Sequence, residues 1–353
     1  MNTTDQKNLI QNGALQVSFA KVLQEIMADF PKRSQDIILG RWGISGQKSM
    51  TLEEIGKKYG ITRERVRQVI REVLKKMKDK KSHPLFLNIK ERVVLAIAEN
   101  DGIMAEDSIV EKLGQGNKEE QATVSFFLES MDGIQNSEIK GEIVSSYFVP
   151  QFSMPEWKKI IEAVKEALKS NSKPLEIGEL FSETRKKISG VDFSQKKLLN
   201  FISVSEEIKK NSFDKWGLAD WKEISPKGTR EKAYLVLKET ESPLHFRDIA
   251  KKIDEFKLNR KKTHPQTVHN ELIKDKNFVL VGRGIYALTE WGYKKGTVKD
   301  VIEEIILANE KSLNREEILS KVLDVRQVKK STIVINLNNY FSKSKSGEYS
   351  IKK

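Results

Sequence analysis

The 353-residue sequence contains no cysteine. That excludes a disulfide framework, a cysteine-ligated zinc and a thiolate nucleophile. Histidine is scarce as well, at four residues. His264 and His269 stand five positions apart, so one helix does not bring both rings to the same face, and His83 and His245 lie elsewhere in the chain. No metal and no cofactor is therefore expected. A phosphate-binding glycine loop is missing too, because Gly114-x-Gly116 lacks the following Lys-Ser/Thr. Glu138-Ile139-Lys140, with Asp132 upstream, has the outline of a nuclease cluster, but such tripeptides are common. No catalytic residue is assigned, and the chain reads as a non-enzyme without a small-molecule substrate. No apolar run approaches the ~20 residues of a membrane span, and Met1 to Leu15 are polar where a secretory signal is apolar. A cytoplasmic, nucleoid-associated protein without a membrane partner is the expectation. The 38% hydrophobic content is low for one large core and suits several small ones.

What the sequence does have is positive charge, +13 in total, unevenly distributed. Residues 1–83 carry a net +8 and residues 84–155 a net −7. The remaining blocks, 156–224, 225–294 and 295–353, carry +2, +6 and +4. The acidic block reads as a solvated surface, a partner site or an internal cover for a basic helix. Only 14 of the 63 basic residues are arginine, yet four of them fall between Arg63 and Arg71. A lysine-dominated chain that concentrates arginine there is using its planar, bidentate fork.

A repeat organises the rest. An aromatic residue followed two positions later by an aliphatic one recurs as Tyr147/Val149, Trp216/Leu218, Tyr286/Leu288 and Tyr349/Ile351. Upstream, Leu175/Leu180, Leu244/Ile249 and Leu313/Ile318 recur at steps of 69 residues, with Met104/Ile109 as a looser first version. Each copy reads helix, turn, helix, polar stretch, helix, then alternating residues around a turn. In the third copy, Glu231 to Lys238 and Phe246 to Ile253 are helical and Pro265 opens a third helix. Phe278–Val281 and Ile285–Leu288 flank Gly282-Arg283-Gly284 as a β-hairpin, which makes Arg283 a candidate wing contact. The expected fold is mainly α with small β-hairpins. An N-terminal helix-turn-helix (1–83) is followed by winged-helix-like domains at 84–155 (acidic), 156–224, 225–294 and 295–353.

The sharpest local pattern is at 51–78. Thr51-Leu52-Glu53-Glu54 is a capping box, Ile55 and Tyr59 form an apolar face, and Gly60 supplies the positive φ of a tight interhelical turn. Thr62 caps a second helix whose inner face is Val66, Val69/Ile70, Val73 and Met77. Its outer face presents Arg63, Glu64, Arg67, Gln68 and Arg71. Arginine reads guanine, glutamine adenine and glutamate cytosine in the major groove, so Arg63, Glu64, Arg67 and Gln68 are the base-facing candidates. Thr62, Arg65, Arg71, Lys75 and Lys76 are the phosphate candidates, with Lys78, Lys80 and Lys81 extending the charge.

The run from Arg33 through Trp42, Met50 to Gly56 and Gly60-Ile61-Thr62-Arg63-Glu64-Arg65-Val66-Arg67-Gln68-Val69 resembles region 4 of the sigma-70 family, over about Ser18 to Lys80. The resemblance implies a −35 promoter-reading helix. It also implies a contact of the preceding helices with the β flap of core RNA polymerase, with Phe19, Leu23, Phe30, Ile37, Ile38 and Trp42 divided between that contact and the core. Residues 1–17 are too short for the −10-melting segment of a complete sigma factor, so initiation by this chain alone is not expected. The third copy, through Ser242–Ile249, Pro265–Leu272 and Gly282–Gly292, resembles HARE-type helix-turn-helix domains, as in the RNA polymerase delta subunit. Together these imply a bacterial, sequence-specific regulator of transcription that binds promoter-like double-stranded DNA and acts with RNA polymerase. The alternatives are a polymerase-binding scaffold with little DNA readout and an accessory DNA-recognition module of a restriction system.

Overall fold

Apolar residues at helical spacing, closed by polar caps, build the first four helices. In a computed structural model, residues 17–46, 48–79, 83–132, 134–293, 296–309, 313–326 and 328–352 are described. Lys80 and Lys81, counted above among the basic residues, lie outside them. Ser18 caps α1 (Phe19–Met27), which is followed by α2 (Lys32–Trp42), α3 (Leu52–Tyr59) and α4 (Arg63–Asp79). The chain divides into two compact units, 1–209 and 210–353. No helix among the described residues is long and apolar enough to cross a membrane.

The expected repeat is visible as a recurring topology. Its first copy runs α5 (Pro84–Ala98), β1 (Ile103–Ala105), α6 (Glu106–Gly114), α7 (Lys118–Ser130), β2 (Gln135–Ile139) and β3 (Ile143–Phe148), with antiparallel sheet order β1-β3-β2. The second supplies α8 (Met154–Asn171), α9 (Ile177–Lys187), α10 (Gln195–Ser203), β4 (Ile208–Lys210) and β5 (Trp216–Leu218). The division between units, at 209/210, falls within this span. The third runs α11 (Thr229–Thr240), β6 (Leu244–His245), α12 (Phe246–Glu255), α13 (Pro265–Lys274), β7 (Phe278–Gly282) and β8 (Ile285–Leu288), in the order β6-β8-β7. The last has α14 (Val298–Leu307), α15 (Arg315–Val325), α16 (Lys330–Tyr340), β9 (Phe341–Lys343) and β10 (Tyr349–Ile351).

The register explains why the aromatic and aliphatic positions recur together. Met104 pairs with Tyr147 and Leu244 with Tyr286 across antiparallel strands, and Leu313 bridges Tyr349. In each, the short first strand lays an aliphatic residue against the aromatic of the last strand, the cross-strand packing that stabilises small sheets. Ile109, Ile249 and Ile318, each fully buried, are the second-helix residues that fill the core beneath.

The low apolar content suggested separate small cores, but the first two segments share one. Phe19, Leu23, Phe30, Ile38, Val73 and Met77 join Phe86, Phe126, Phe127 and Tyr147 in a single buried cluster. Helix α7 brings this about. The Phe127 ring lies 6.2 Å from Phe19 and 6.0 Å from Phe86, and Phe126 meets Trp42 edge-on at 5.2 Å. Glu120 of α7 also caps α1: its carboxylate accepts the Ser18 hydroxyl and the Phe19 amide, the latter at 2.8 Å. Glu119 accepts the Ser45 amide at 3.1 Å. Two carboxylates of the acidic block thus serve as helix-start and loop acceptors. Glu120→Ala strands the Phe19 amide at a buried helix start. The expected cost is about 1–3 kcal/mol, seen as a drop of several degrees in the unfolding midpoint of the full chain. An unchanged midpoint would contradict this account of the junction.

Between the first two repeats, Val144 donates to the carbonyl of Val204 (3.0 Å) and Glu206 to that of Glu142 (2.9 Å). The stretch of β3 that runs beyond the short β1 is thereby paired.

Candidate nucleic-acid interface

The exposed face of α4 depends on the turn that launches it. Thr51 and Glu54 form the capping box: the Thr51 amide donates to Glu54 Oε2 at 2.7 Å and the Glu54 amide to Thr51 Oγ1 at 3.2 Å. These bonds to Thr51 hold the Glu54 carboxyl below the usual carboxylate range. Helix α3 ends on Gly60, at φ 64°, in the left-handed region that glycine reaches without a Cβ penalty. Gly56 is required for a different reason: a Cβ there would stand 2.6 Å from the carbonyl oxygen of Ile61. Thr62 Oγ1 accepts the Arg65 amide at 3.2 Å and starts α4. Under the turn, Ile37, Ile55 and Val66 are fully buried. Two arginines outside the motif brace it, Arg33 Nη2 donating to the Tyr59 carbonyl (2.8 Å) and Arg41 Nη1 to the Met50 carbonyl (3.2 Å).

Val66, Val73 and Met77 anchor α4 from within, while Val69 and Ile70 are half-buried. Opposite them, Arg63, Arg67, Arg71 and Lys75 follow at steps of four, one above another on a single exposed stripe. At 1.5 Å per residue the stripe is ~18 Å long. Arg63 and Arg71 point to solvent without an anionic partner among the described residues. Arg67 is clasped by Glu64 through two bonds, 2.8 and 2.5 Å. That bond and the guanidinium charge hold the Glu64 carboxyl below its ordinary value and raise Arg67. Arg65 Nη1 donates to Gln68 Oε1 at 3.1 Å and lies 3.7 Å from Glu72. Lys76 is exposed, and Lys78 pairs with Asp132 at 3.1 Å.

The N-terminal site candidates, Thr62 to Lys76, are all exposed on α4 and the turn before it; Arg63, Arg67, Arg71 and Lys75 share the stripe, Arg65 and Lys76 project from the other side of the helix, and Arg283 belongs to the second unit. Arg283 stands exposed at the tip between β7 and β8. Beside it, Gly284 (φ 73°) lies against the His245 ring, where a Cβ would come within 2.6 Å of Nε2. Two of the four histidines are used in packing and capping. His245 Nδ1 accepts the Arg247 amide at 3.2 Å at the start of α12, and His269 stacks on Phe246 at 4.4 Å. No group of three metal-ligating side chains occurs among the described residues.

Of the six apolar residues expected to divide between core and partner, Phe19, Leu23, Phe30, Ile37 and Ile38 are all buried, and Trp42 is half-buried against Phe126. The division goes to the core because α7 closes over Phe19 and Trp42, while Ile37 packs under the turn with Ile55 and Val66. The acidic block does not cover the arginine stripe: it packs on the N-terminal helices through α5 and α7 and pairs Asp132 with Lys78, and the stripe stays exposed. The Glu64–Arg67 clasp and the bracing roles of Arg33 and Arg41 were not anticipated. The i,i+3 spacing of opposite charges was the available signal for the first.

These features define a helix-turn-helix protein with a mainly helical fold and small antiparallel hairpins. Residues 26–79 match the family described as Sigma-70, region 4, and residues 229–291 match the HARE-HTH family, a helix-turn-helix domain whose description includes restriction endonucleases. Over 56 residues the chain is 34% identical to RNA polymerase sigma factor SigA of a Bacillus species, covering 16% of this chain and 15% of that one. Over 68 residues it is 37% identical to RNA polymerase sigma-C factor of a Nostoc species, covering 19% and 16%. The similarity is thus to one segment of those sigma factors, about a sixth of their length.

Proposed function

We propose that the chain is a sequence-specific regulator of transcription that docks α4 in the major groove of promoter-like duplex DNA. The observation that carries this reading is the arginine stripe, held exposed by a turn that depends on two glycines and lying within the segment that matches sigma region 4. Arg63, Glu64, Arg67 and Gln68, in the first two turns of α4, are the base-reading set. Thr62, Arg65, Arg71, Lys75 and Lys76 sit on the phosphates, and Arg283 is a wing contact of the third repeat. The similarity to sigma factors supports action together with RNA polymerase. Since Phe19, Leu23, Phe30, Ile37 and Ile38 are buried, that contact uses the charged exterior of the N-terminal helices and not those side chains.

Selection of bound duplexes from a random pool tests the reading directly: enrichment of a defined site is expected, and no enrichment would refute it. Lys76→Ala is expected to weaken selected and random duplexes alike, by a few-fold, and to reduce the salt slope of binding by about 1. Polymerase association is read by co-purification with core enzyme.

A further inference from the structure

The C-terminal repeat separates its charge by element. Helices α14 and α15 carry six carboxylates against three cations. From Val325 to Gly347 there is no acidic residue, while Arg326, Lys329, Lys330, Lys343 and Lys345 fall in that stretch. Arg326 serves the fold: it is buried and donates to the Gly296 carbonyl at 2.6 Å. The four lysines are different. All are exposed, and none has an anionic partner among the described residues. Elsewhere in the same unit Lys215, Lys238, Lys251 and Lys274 each lie within 4.0 Å of a carboxylate.

Their placement is as informative as their number. Lys329 and Lys330 open α16, whereas Lys343 and Lys345 lie beyond its other end, on β9 and the turn after it. Lys352 Nζ donates to the Asn339 carbonyl at 2.8 Å and holds the hairpin against the last turn of the helix. Between the two lysine pairs the outward face of α16 is uncharged, with Ser331, Ile335 (57% exposed), Asn338 and Asn339. Eleven residues make α16 ~16 Å long. Cations at both ends of a neutral, amide-bearing helix of that length match a major groove about 12 Å wide, walled by two phosphate strands and floored by hydrogen-bonding base edges. An A-form RNA groove is too narrow to admit the helix. An acidic peptide would be met by cations gathered together and not by two pairs parted by an uncharged face.

We propose that the C-terminal repeat is a second duplex-DNA contact, with α16 in the major groove and Lys329/Lys330 and Lys343/Lys345 on the phosphates of the flanking strands. This goes beyond the reading of α4 and does not depend on it. A chain with both contacts grips DNA bivalently, so that the second contact adds residence without needing its own sequence preference.

The test uses the full chain and a 40-base-pair random-sequence duplex, followed by fluorescence anisotropy from 50 to 300 mM potassium chloride. The variants are Lys329→Gln/Lys330→Gln/Lys343→Gln/Lys345→Gln and Arg63→Ala/Arg67→Ala. Loss of four phosphate contacts at about 0.9 per contact predicts a salt slope shallower by about 2–4, with affinity at 100 mM salt reduced about tenfold or more. The ratio between a duplex selected by the parent protein and the random one stays unchanged in the lysine variant. Ser331→Asp is an independent probe: a carboxylate in the first turn favours the helix, so folding is kept, but it faces the base edges and lowers affinity. A lysine variant whose salt titration overlays the parent's overturns the proposal, whatever α4 does. Normal DNA binding with weakened binding to polyglutamate overturns it in favour of an acidic protein partner. Loss in the lysine variant, with the ratio between selected and random duplexes unchanged by Arg63→Ala/Arg67→Ala, upholds this contact and refutes the α4 reading.

Discussion

Gly56→Val is expected to abolish sequence-selective DNA binding without altering any residue of the recognition surface. A Cβ at this position lies 2.6 Å from the Ile61 carbonyl oxygen, well inside van der Waals contact, and the oxygen belongs to the backbone of the turn and cannot rotate away. That turn also carries Thr62, whose hydroxyl starts α4, so relieving the clash displaces the helix bearing Arg63 and Arg67. For Gly56→Ala the gain in helix propensity, about 1 kcal/mol, partly offsets an overpacking cost of ~1–3 kcal/mol, leaving a modest loss. Valine adds two branches and loses that compensation, so a net cost of roughly 3 kcal/mol follows. Hydrogen exchange along α3 and α4 reads the local loss, and anisotropy on selected duplexes reads the functional one. Parent-like protection and binding in Gly56→Val would show that the turn tolerates what its geometry forbids. Gly60→Ala, where nothing lies within 4 Å of the added carbon, meets only the left-handed φ and is expected to cost about 1 kcal/mol.

The second large effect falls on the arginines. Arg63→Ala should remove ~1–3 kcal/mol of discrimination between selected and random duplexes, the value of one bidentate base contact. Arg67→Ala should cost more, because Arg67 also neutralises Glu64 through the bidentate clasp. Without it, the carboxylate loses the partner that keeps its proton affinity low and faces the phosphates uncompensated. The double variant Glu64→Ala/Arg67→Ala should then bind random duplexes more tightly than Arg67→Ala alone, and a double-mutant cycle isolates that coupling. Equal losses on selected and random duplexes for Arg63→Ala would remove it from the base-reading set. Additivity between Glu64 and Arg67 would show the clasp to be inert.

How far these conclusions were legible in the sequence depends on the range of the interactions involved. The capping box of Thr51 and Glu54, the left-handed Gly60, Pro265 at the start of α13 and the Arg283–Gly284 turn are local, and each follows from residue type and spacing within a few positions. The recurring aromatic and aliphatic pairs were visible as a period, but only the register shows that Met104 and Tyr147, or Leu244 and Tyr286, face each other across strands. The docking of α7 was not legible. Nothing in the spacing around Phe126 and Phe127 marks them as a docking surface, and nothing in the pattern around Phe19, Phe30 or Trp42 says which surface will cover them. For the same reason Arg33 and Arg41 read as further basic residues, although they brace the backbone of the turn.

The carboxylate that closes the start of α1 lies 101 residues further along the chain from the amide it accepts, and this governs the order in which the molecule can be made. During synthesis the N-terminal helices emerge with Phe19 and Trp42 lacking their ring partners Phe127 and Phe126, and they stay so until α7 has left the ribosome. Such long-range closure is slow and leaves apolar surface open in the interval. A nascent or truncated chain ending near residue 83 therefore carries the arginine stripe on a half-built support, prone to self-association. The support of the proposed DNA-reading helix is therefore complete only once α7 has been translated.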